Sequence, residues 1–227
     1  MKAPFLLLLF LCCTGGLFAQ NNQYTSAKDS DPEAVKLLDG IRKKYDAYGT
    51  LQADVQLIIE LPGQQPITQS GRVSRKADNV RFKLGDQEGI INGEAAYLIQ
   101  HANREVMINN LPEAGEMNGV LTPQTLFNFY EGAAFVLAID GEETIGGRKL
   151  TAVLLKPVDR DNSEFTKMRL LVDAAKKEIV SVKAFSRDGT RYAFQLNETR
   201  GDVPLAAGTF VFDKKEFPNY HVEDLRY

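Results

Sequence analysis

Few side chains in this sequence could carry out chemistry, and their spacing matches none of the common catalytic or metal-binding patterns. The chain has two histidines, His101 and His221. We interpret both as solvated surface residues, because His101 lies among turn residues and His221 lies near the tail. No H-E-x-x-H, C-x-x-C, G-x-G-x-x-G or P-loop motif occurs. The sequence therefore predicts a protein that is not an enzyme and has no cofactor.

One acidic cluster could be taken for a calcium loop. It consists of Asp159, Asp161 and Glu164. It lacks the glycine and the terminal glutamate of an EF-hand loop, so we favour a solvated loop and predict no metal site. A serine hydrolase is the most distant alternative, because nothing in the sequence brings a Ser/His/Asp triad together.

The first nineteen residues, 1–19, have the layout of a secretory signal peptide. A positive start and an apolar run lead to small residues and a cleavage site after Ala19. Cys12 and Cys13 leave a lipoprotein signal as the alternative, although bulky residues precede them. Cleavage after Ala19 removes both cysteines, so we expect a soluble periplasmic chain without a thiol or a disulfide.

The amino-acid composition excludes some classes of binding partner for this protein. The chain carries 27 basic and 30 acidic residues, with a formal net charge of −3. This mild acidity argues against binding to nucleic acid or to an anionic membrane surface. After a flexible lead at residues 20–29, residues 30–227 are long enough for one domain with a real core, which we expect to be a monomer.

A helix is predicted directly after the polar lead. Asp31 suits the N-cap and Pro32 the first helical position, while Ser30 and Glu33 could form a capping box. Gly49 is the predicted end of the helix. The apolar stripe at helical spacing consists of Ala34, Leu37, Leu38, Ile41, Tyr45 and Tyr48.

From Leu51 onward the apolar period changes to two, which indicates strands separated by turn residues. The predicted strands are 51–59, 71–75, 79–84, 88–91, 95–100 and 104–108, then 142–145, 149–156, 166–172, 178–186, 190–197 and 209–212. Between the two groups we predict a mobile loop at 111–122 and a second helical patch at 123–139. The order predicts an α+β fold that is mainly β, an incomplete antiparallel barrel (a half-barrel) of about 11–12 strands with short helices as a lid over an apolar cavity.

Three stretches resemble the periplasmic outer-membrane lipoprotein carrier family, the LolA-like proteins. They are TFVFDKKEFPNYHVEDLR at 209–226, DPEAVKLLDGIRKKYDAYGTLQADVQL at 31–57 and the hairpin GIINGEAAYLIQHANREVMI at 89–108. The closing family pattern is matched by Phe210, Phe212, Pro218, Val222, Asp224, Leu225 and Arg226. The resemblance covers essentially the whole predicted mature chain.

The sequence departs from the family at two places. The hairpin reads Asn92-Gly93-Glu94, with Tyr97 or a neighbour where the family has tryptophan, and the chain contains no tryptophan. The family's basic turn reads Arg75-Lys76-Ala77-Asp78 here. No residue aligns cleanly with the arginine that latches the lid in the family. Either Arg75 or Lys76 substitutes for it, or the lid is latched in another way.

The resemblance implies a carrier that holds lipoprotein acyl chains and moves lipoproteins from the inner to the outer membrane. The implied donor is an inner-membrane lipoprotein-releasing ABC transporter, and the outer-membrane acceptor is unknown. Two alternatives stay open: a lipid-binding or sensing module on the same fold that delivers no cargo, and a secreted interaction protein with a filled core.

Period-two alternation and the resemblance together give the expected site. The predicted cavity residues are Val55, Leu57, Ile59, Val73, Phe82, Ile90, Leu98, Val106, Val153, Leu155, Met168 and Leu170. The predicted lid residues are Leu38, Ile41, Leu126, Phe127, Tyr130, Phe135 and Leu137. A register error of one residue would move a strand's set to the opposite face.

Overall fold

The computed structural model describes residues 26–111, 122, 125–130 and 133–226. Within them the chain forms one α-helix, α1 (Pro32–Asp46), and two short 3₁₀ helices, Ala27–Asp29 and Lys214–Glu216. The strands are β1 (Leu51–Glu60), β2 (Ile67–Lys76), β3 (Asn79–Leu84), β4 (Gln87–Ile91), β5 (Ala96–Gln100), β6 (Glu105–Asn109), β7 (Phe135–Ile145), β8 (Arg148–Pro157), β9 (Phe165–Asp173), β10 (Glu178–Ser186), β11 (Arg191–Gly201) and β12 (His221–Asp224). The predicted signal peptide and most of the predicted loop at 111–122 lie outside the described residues.

Helix α1 begins where the sequence predicts. The Oδ1 atom of Asp31 accepts a hydrogen bond from the Glu33 amide at 2.8 Å, and Pro32 occupies the first turn. The predicted end at Gly49 is wrong, because α1 ends at Asp46. The helix exposes its charged side to solvent and buries Ala34, Leu38, Ile41 and Tyr45.

The described chain begins with a short 3₁₀ helix, Ala27–Asp29. Ser26 and Asp29 form a capping box around the 3₁₀ helix, which lies inside residues 20–29. Ser30 does not form the predicted box with Glu33. Its hydroxyl accepts a hydrogen bond from the Leu137 amide at 3.0 Å.

All twelve strands join one sheet in the order β12-β6-β5-β4-β3-β2-β1-β11-β10-β9-β8-β7. Neighbours pair antiparallel except β12, which runs parallel to β6. Strands β12 and β7 are the two free edges, so the sheet curves without closing. The predicted half-barrel is confirmed, and β1 and β11 join its two halves.

The register divides the sheet into an inner face, covered by α1, and an outer face. Val73 lies opposite Phe82, Phe82 opposite Gly89, and Gly89 opposite Leu98, so these four residues share the inner face. The inner face and α1 form one apolar cluster, while a second cluster covers the outer face of β4, β5 and β6.

Residues 123–139 do not form the predicted helical patch where they are described. Residues 125–130 form turns, and Phe135 begins strand β7. A short apolar run that is buried on all sides has no visible period, so the sequence cannot separate a strand from a helix here. The predicted strand at 142–145 is the second half of β7, which bends at a bulge between Ile139 and Glu142.

The predicted strand at 209–212 is also wrong. Residues 207–210 form turns, and the chain then returns to the sheet as β12. Because β12 pairs with β6 in parallel, this last strand lies beside a strand more than a hundred residues earlier in the chain.

Candidate functional site

The inner face of the sheet is a continuous apolar wall, and most of the predicted cavity residues lie on it. Val55, Val73, Phe82, Val153, Leu155, Met168 and Leu170 are buried in the main cluster, with Leu57 and Leu98 partly buried against it. Ile59 lies opposite Tyr192 and Ile67 at the end of β1 and is partly exposed. The wall also contains Phe194 and Leu196 of β11, which the sequence analysis did not select.

Two predicted cavity residues, Ile90 and Val106, are on the wrong face. Both are fully buried, but in the second cluster on the outer face. In β4, Glu88, Gly89 and Ile90 are all buried because both faces of this strand are covered. The alternation that distinguishes the faces elsewhere is therefore lost in this strand.

The wall is covered by a lid, which we define as α1 and the turn segment 125–130. The predicted lid residues Leu38 and Ile41 of α1 and Leu126, Phe127 and Tyr130 of the turn segment are all buried. Phe135 and Leu137 belong to β7 and lie opposite Pro157 and Leu155 on the inner face, so they are part of the wall and not of the lid.

Aromatic rings join the two halves of the lid. The Tyr45 ring meets Phe127 edge to face, with 5.5 Å between ring centroids. Phe129, which the sequence analysis did not select, meets Tyr130 at 5.5 Å and Phe135 of the wall at 6.4 Å. Tyr45 was visible on the predicted helical stripe, whereas no periodic signal identified Phe129.

Arg75 connects the wall to both halves of the lid. Its Nη2 atom donates a hydrogen bond to the Tyr45 carbonyl oxygen at 2.8 Å and lies 3.7 Å from an Asp46 carboxylate oxygen. The guanidinium carbon lies 5.9 Å from the Phe127 ring centroid. Lys76, the other latch candidate, is exposed, and as the next residue of the strand it points to the opposite face.

Two further contacts hold the C-terminal half of α1. The buried Tyr45 hydroxyl accepts a hydrogen bond from the Ile179 amide at 2.9 Å. Burial raises the pKa of this phenol, so it stays neutral. The Lys44 Nζ atom lies 2.7 Å from Glu178 Oε1. The lid is thus fastened to β2 and to β10 by side-chain contacts.

The lid packs closely against the wall in the part of the chain that the structure describes. Leu38, Ile41 and Leu126 are at most 2% exposed. Two open grooves run along the sides of α1. One of about 350 Å³ lies between α1, Tyr130 and β7, and one of about 950 Å³ lies between α1 and the turn joining β9 to β10.

The outer face of β4, β5 and β6 is covered by the C-terminal clasp, which we define as residues 209–226. Phe212 stacks on Tyr97 at 4.6 Å and on Phe217 at 5.6 Å. Arg226 forms a bidentate ion pair with Asp224, with an Nη2–Oδ2 distance of 2.7 Å. The family-like C-terminal motif therefore lies on the face away from the lid.

His101 is not the solvated residue that the sequence predicts. Its Nδ1 atom lies 2.9 Å from the Tyr220 hydroxyl of the clasp, and its Nε2 atom lies 3.3 Å from Glu88 Oε2. Glu88 is buried and also accepts a hydrogen bond from Arg81 Nε at 2.7 Å. Half-buried His101 therefore joins the clasp to the sheet, whereas His221 is exposed as predicted.

The described residues contain no group of three or more His, Cys, Asp or Glu side chains placed to hold a metal ion. The acidic stretch forms a turn in which Asn162 donates to both oxygens of Asp159, at 3.2 and 2.7 Å. These hydrogen bonds lower the pKa of the Asp159 carboxyl group. No described helix is long and apolar enough to span a membrane.

No protein-family model matches the chain, and no curated protein matches it significantly. Among solved structures, an uncharacterized conserved protein from Thermus thermophilus has a TM-score of 0.56 at 12% identity, covering 86% of this chain and 99% of that chain. A LolA superfamily protein from Nitrosomonas europaea has a TM-score of 0.43 at 12% identity, with 79% and 98% covered. LprF from Mycobacterium bovis has a TM-score of 0.46 at 11% identity, with 79% and 99% covered. The likeness to the Thermus thermophilus protein shows that the two chains share a fold.

Proposed function

We propose that this chain binds the acyl chains of lipoproteins against the inner face of its sheet and carries lipoproteins across the periplasm. The observation that carries the proposal is the construction of the cover over that face. A wide apolar wall is covered by one helix and one turn segment, and not by a second sheet. Side-chain contacts hold the body of the helix, and one backbone hydrogen bond, from the Asp31 amide to the Leu137 carbonyl, ties its start to β7. Such a cover can leave while the sheet keeps its own hydrogen bonds.

The energetics of exchange favour reversible binding. Lifting the lid exposes Leu38, Ile41 and Phe127, which costs roughly 1.5–3 kcal/mol for each side chain. Acyl chains laid on the wall regain roughly 0.8 kcal/mol for each buried CH₂. The lid therefore competes with the cargo for one surface, which lowers the apparent affinity enough for release.

The three family-like stretches of the sequence support a carrier function, and two of them have clear structural roles. The opening stretch forms α1 and β1, and the closing stretch forms the clasp. In this proposal an inner-membrane lipoprotein-releasing ABC transporter loads the carrier and an outer-membrane acceptor unloads it. The protein binds and releases its cargo without catalysis or a cofactor.

Transfer of a fluorescent triacylated lipoprotein from inner-membrane vesicles to the purified soluble protein tests the proposal directly. The wild-type protein should take up the lipoprotein, and Phe127→Glu should lose most of the uptake because the charge lies on the lid–wall contact. Val211→Glu, at an exposed position of the clasp, is the matched control. Circular dichroism checks that both variants are folded. Absence of uptake by the wild type, or equal uptake by all three proteins, contradicts the proposal.

Arg75→Gln tests the latch. The variant loses the charged hydrogen bond to the Tyr45 carbonyl, which is worth roughly 1.5–3 kcal/mol, and so favours the open lid. The expected result is binding of a fluorescent fatty acid that is tighter by about 10-fold or more, with slower release. Lys76→Gln is the control, because its side chain is exposed on the other face. Identical fatty-acid binding by the two variants would show that Arg75 does not hold the lid closed.

Depletion of the protein in cells separates a carrier from a sensing module on the same fold. Loss of a carrier should leave outer-membrane lipoproteins at the inner membrane, as membrane fractionation would show. Correct sorting after depletion, together with lipid bound to the purified protein, would favour the sensor.

A further inference from the structure

The apolar wall is exposed to solvent at one end of the sheet. There Ile59 of β1 lies between Tyr192 of β11 and Ile67 of β2 on the inner face. Ile67 is 46% exposed, and Ile59 and Tyr192 are partly exposed, whereas Val55 of the same strand β1 is buried. The wall is therefore covered along the first half of β1 and open at the hairpin that joins β1 to β2. We call residues 58–67 the hairpin tip.

The turn of the hairpin tip carries no charge. Residues 61–71 contain no Asp, Glu, Lys or Arg, although 25% of the residues in the chain are charged. The one charged residue of the tip, Glu60, is paired with Lys183 at 3.1 Å and with Arg191 at 3.5 Å. An apolar medium can thus approach the tip without removing an unpaired charge of the tip from water.

A second turn holds the hairpin tip in place. Gly189, in the turn between β10 and β11, has a φ of +87°, and a Cβ atom there would lie 3.2 Å from Pro62 of the tip. In the same turn Asp188 accepts hydrogen bonds from the Thr190 amide at 2.9 Å and from its hydroxyl at 3.0 Å. The two turns therefore pack together, and the exposed apolar side chains belong to a built surface.

The outer face beside the tip has an apolar and cationic border. Ile58 of the tip and Phe185 of β10 are partly exposed on this face. The Nζ atoms of Lys167 and Lys183 lie 4.8 and 6.0 Å from the Phe185 ring centroid. Lysine can lay its stem on apolar surface while its ammonium group stays in water, so such a border suits the edge of an apolar medium.

We propose that the hairpin tip docks on the surface of a lipid bilayer, with Ile59 and Ile67 entering the outermost hydrocarbon. An uncharged turn favours this occupant over a protein partner, because specific protein surfaces are matched largely through complementary charge. An exposed apolar patch of this kind marks a surface that meets another apolar surface.

Docking at the tip also gives the acyl chains a route to the wall. Ile59, Leu57 and Val55 follow one another on the inner face of β1, from the exposed tip to the buried cluster. With the tip in the bilayer, an acyl chain can pass along this track without crossing water. This route rests on the proposed carrier function, whereas docking on the bilayer does not.

Co-sedimentation with phosphatidylcholine vesicles tests the docking. The wild type should bind these neutral vesicles, and added salt should not weaken the binding because the contact is apolar. Ile67→Glu should weaken the partition by about 10-fold or more, since an isoleucine side chain gains strongly from burial. Ile145→Glu is the matched control, because Ile145 is 45% exposed in the β7–β8 hairpin at the opposite end of the sheet. Equal binding by the two variants, or binding that requires anionic vesicles, overturns the proposal.

A single introduced indole reports the contact directly, because the chain contains no tryptophan. The fluorescence of Ile67→Trp should shift to the blue on addition of vesicles and be quenched by phosphatidylcholine brominated on its acyl chains. Ile145→Trp should show neither change. A blue shift of Ile67→Trp that appears with rising protein concentration in the absence of lipid would assign the tip to a second copy of the chain and overturn the proposal.

Phe127→Glu separates docking from the carrier function. It should bind vesicles as the wild type does while losing lipoprotein uptake, because Phe127 is buried in the lid and is not part of the tip. A wild-type protein that takes up lipoprotein but does not bind vesicles contradicts the docking and leaves the carrier proposal standing. A wild-type protein that binds vesicles through the tip but takes up no lipoprotein supports the docking and contradicts the carrier.

Discussion

The two faces of the sheet are covered in different ways. On the outer face the clasp adds a strand to the sheet, so its cover includes backbone hydrogen bonds between β12 and β6. On the inner face the body of α1 is fastened by side chains, with Arg75, Tyr45 and Lys44 making the described contacts. Both covers bury aromatic rings, but only the clasp is part of the sheet.

This difference separates a permanent cover from a removable one. Lifting the clasp would break ladder hydrogen bonds. It would also break the contacts of Arg81 with Thr209 and of His101 with Tyr220, and Arg81 and His101 are the partners of buried Glu88.

Lifting the body of α1 would break side-chain contacts, while every strand pairing and the backbone hydrogen bond from the Asp31 amide to the Leu137 carbonyl at the start of the helix could stay intact. Regions that move during function are drawn from the parts of a fold with fewer backbone ties. The clasp is therefore the more firmly held of the two covers, and the lid is the one that can be removed without breaking the sheet.

The largest expected effect is on the clasp. Phe217→Ala removes a ring that is 6% exposed and packs against Phe212, His101 and Tyr220, so it should lower the free energy of unfolding by about 3–5 kcal/mol. Urea denaturation measures this change. Val211→Ala, at a 54% exposed position of the clasp, should change it by no more than about 0.5 kcal/mol. A small effect of Phe217→Ala would show that the clasp is as detachable as the lid.

A pair of tyrosine substitutions compares the two faces, because each variant loses the same group, one phenol hydroxyl. Tyr45→Phe leaves the buried Ile179 amide without its acceptor and should cost about 1–3 kcal/mol in unfolding free energy. Tyr220→Phe removes the hydroxyl contact with half-buried His101, which water can replace, and should cost about 0.5–1.5 kcal/mol. Chemical denaturation of both variants measures the two losses in unfolding free energy. A larger loss for Tyr220→Phe than for Tyr45→Phe would contradict the conclusion that the Tyr45 hydroxyl is the more deeply buried of the two.

The smallest effect is expected at the exposed end of the clasp. Hydrogen bonds from Arg226 lower the pKa of Asp224 from 3.8 to about 2. Because the folded pKa is the lower one, this pair stabilises the fold above the unfolded pKa and loses that contribution as the pH falls through about 2. NMR titration of the Asp224 carboxyl carbon should show the low midpoint in the wild type and a return toward 3.8 in Arg226→Gln. An unchanged midpoint in the variant would exclude the ion pair as the cause.

The sequence by itself determined the elements whose signals are local. The Asp31 cap, the apolar stripe of α1 and the alternation of β1 placed the first helix and strand within a few residues of their observed bounds. It also indicated the correct face for Val73 and Leu170, because in β2 and β9 the burial pattern follows a period of two closely enough to be read.

Only the tertiary structure decided which elements cover which face. Ile90 and Val106 are buried like the wall residues but under the clasp, and Phe135 is apolar like a lid residue but belongs to β7. Likewise, nothing local indicated that β12 would pair with β6 or that His101 would meet Tyr220. Burial has the same sequence signature on either face of a sheet, and the partner that buries a residue is set by contacts between distant parts of the chain.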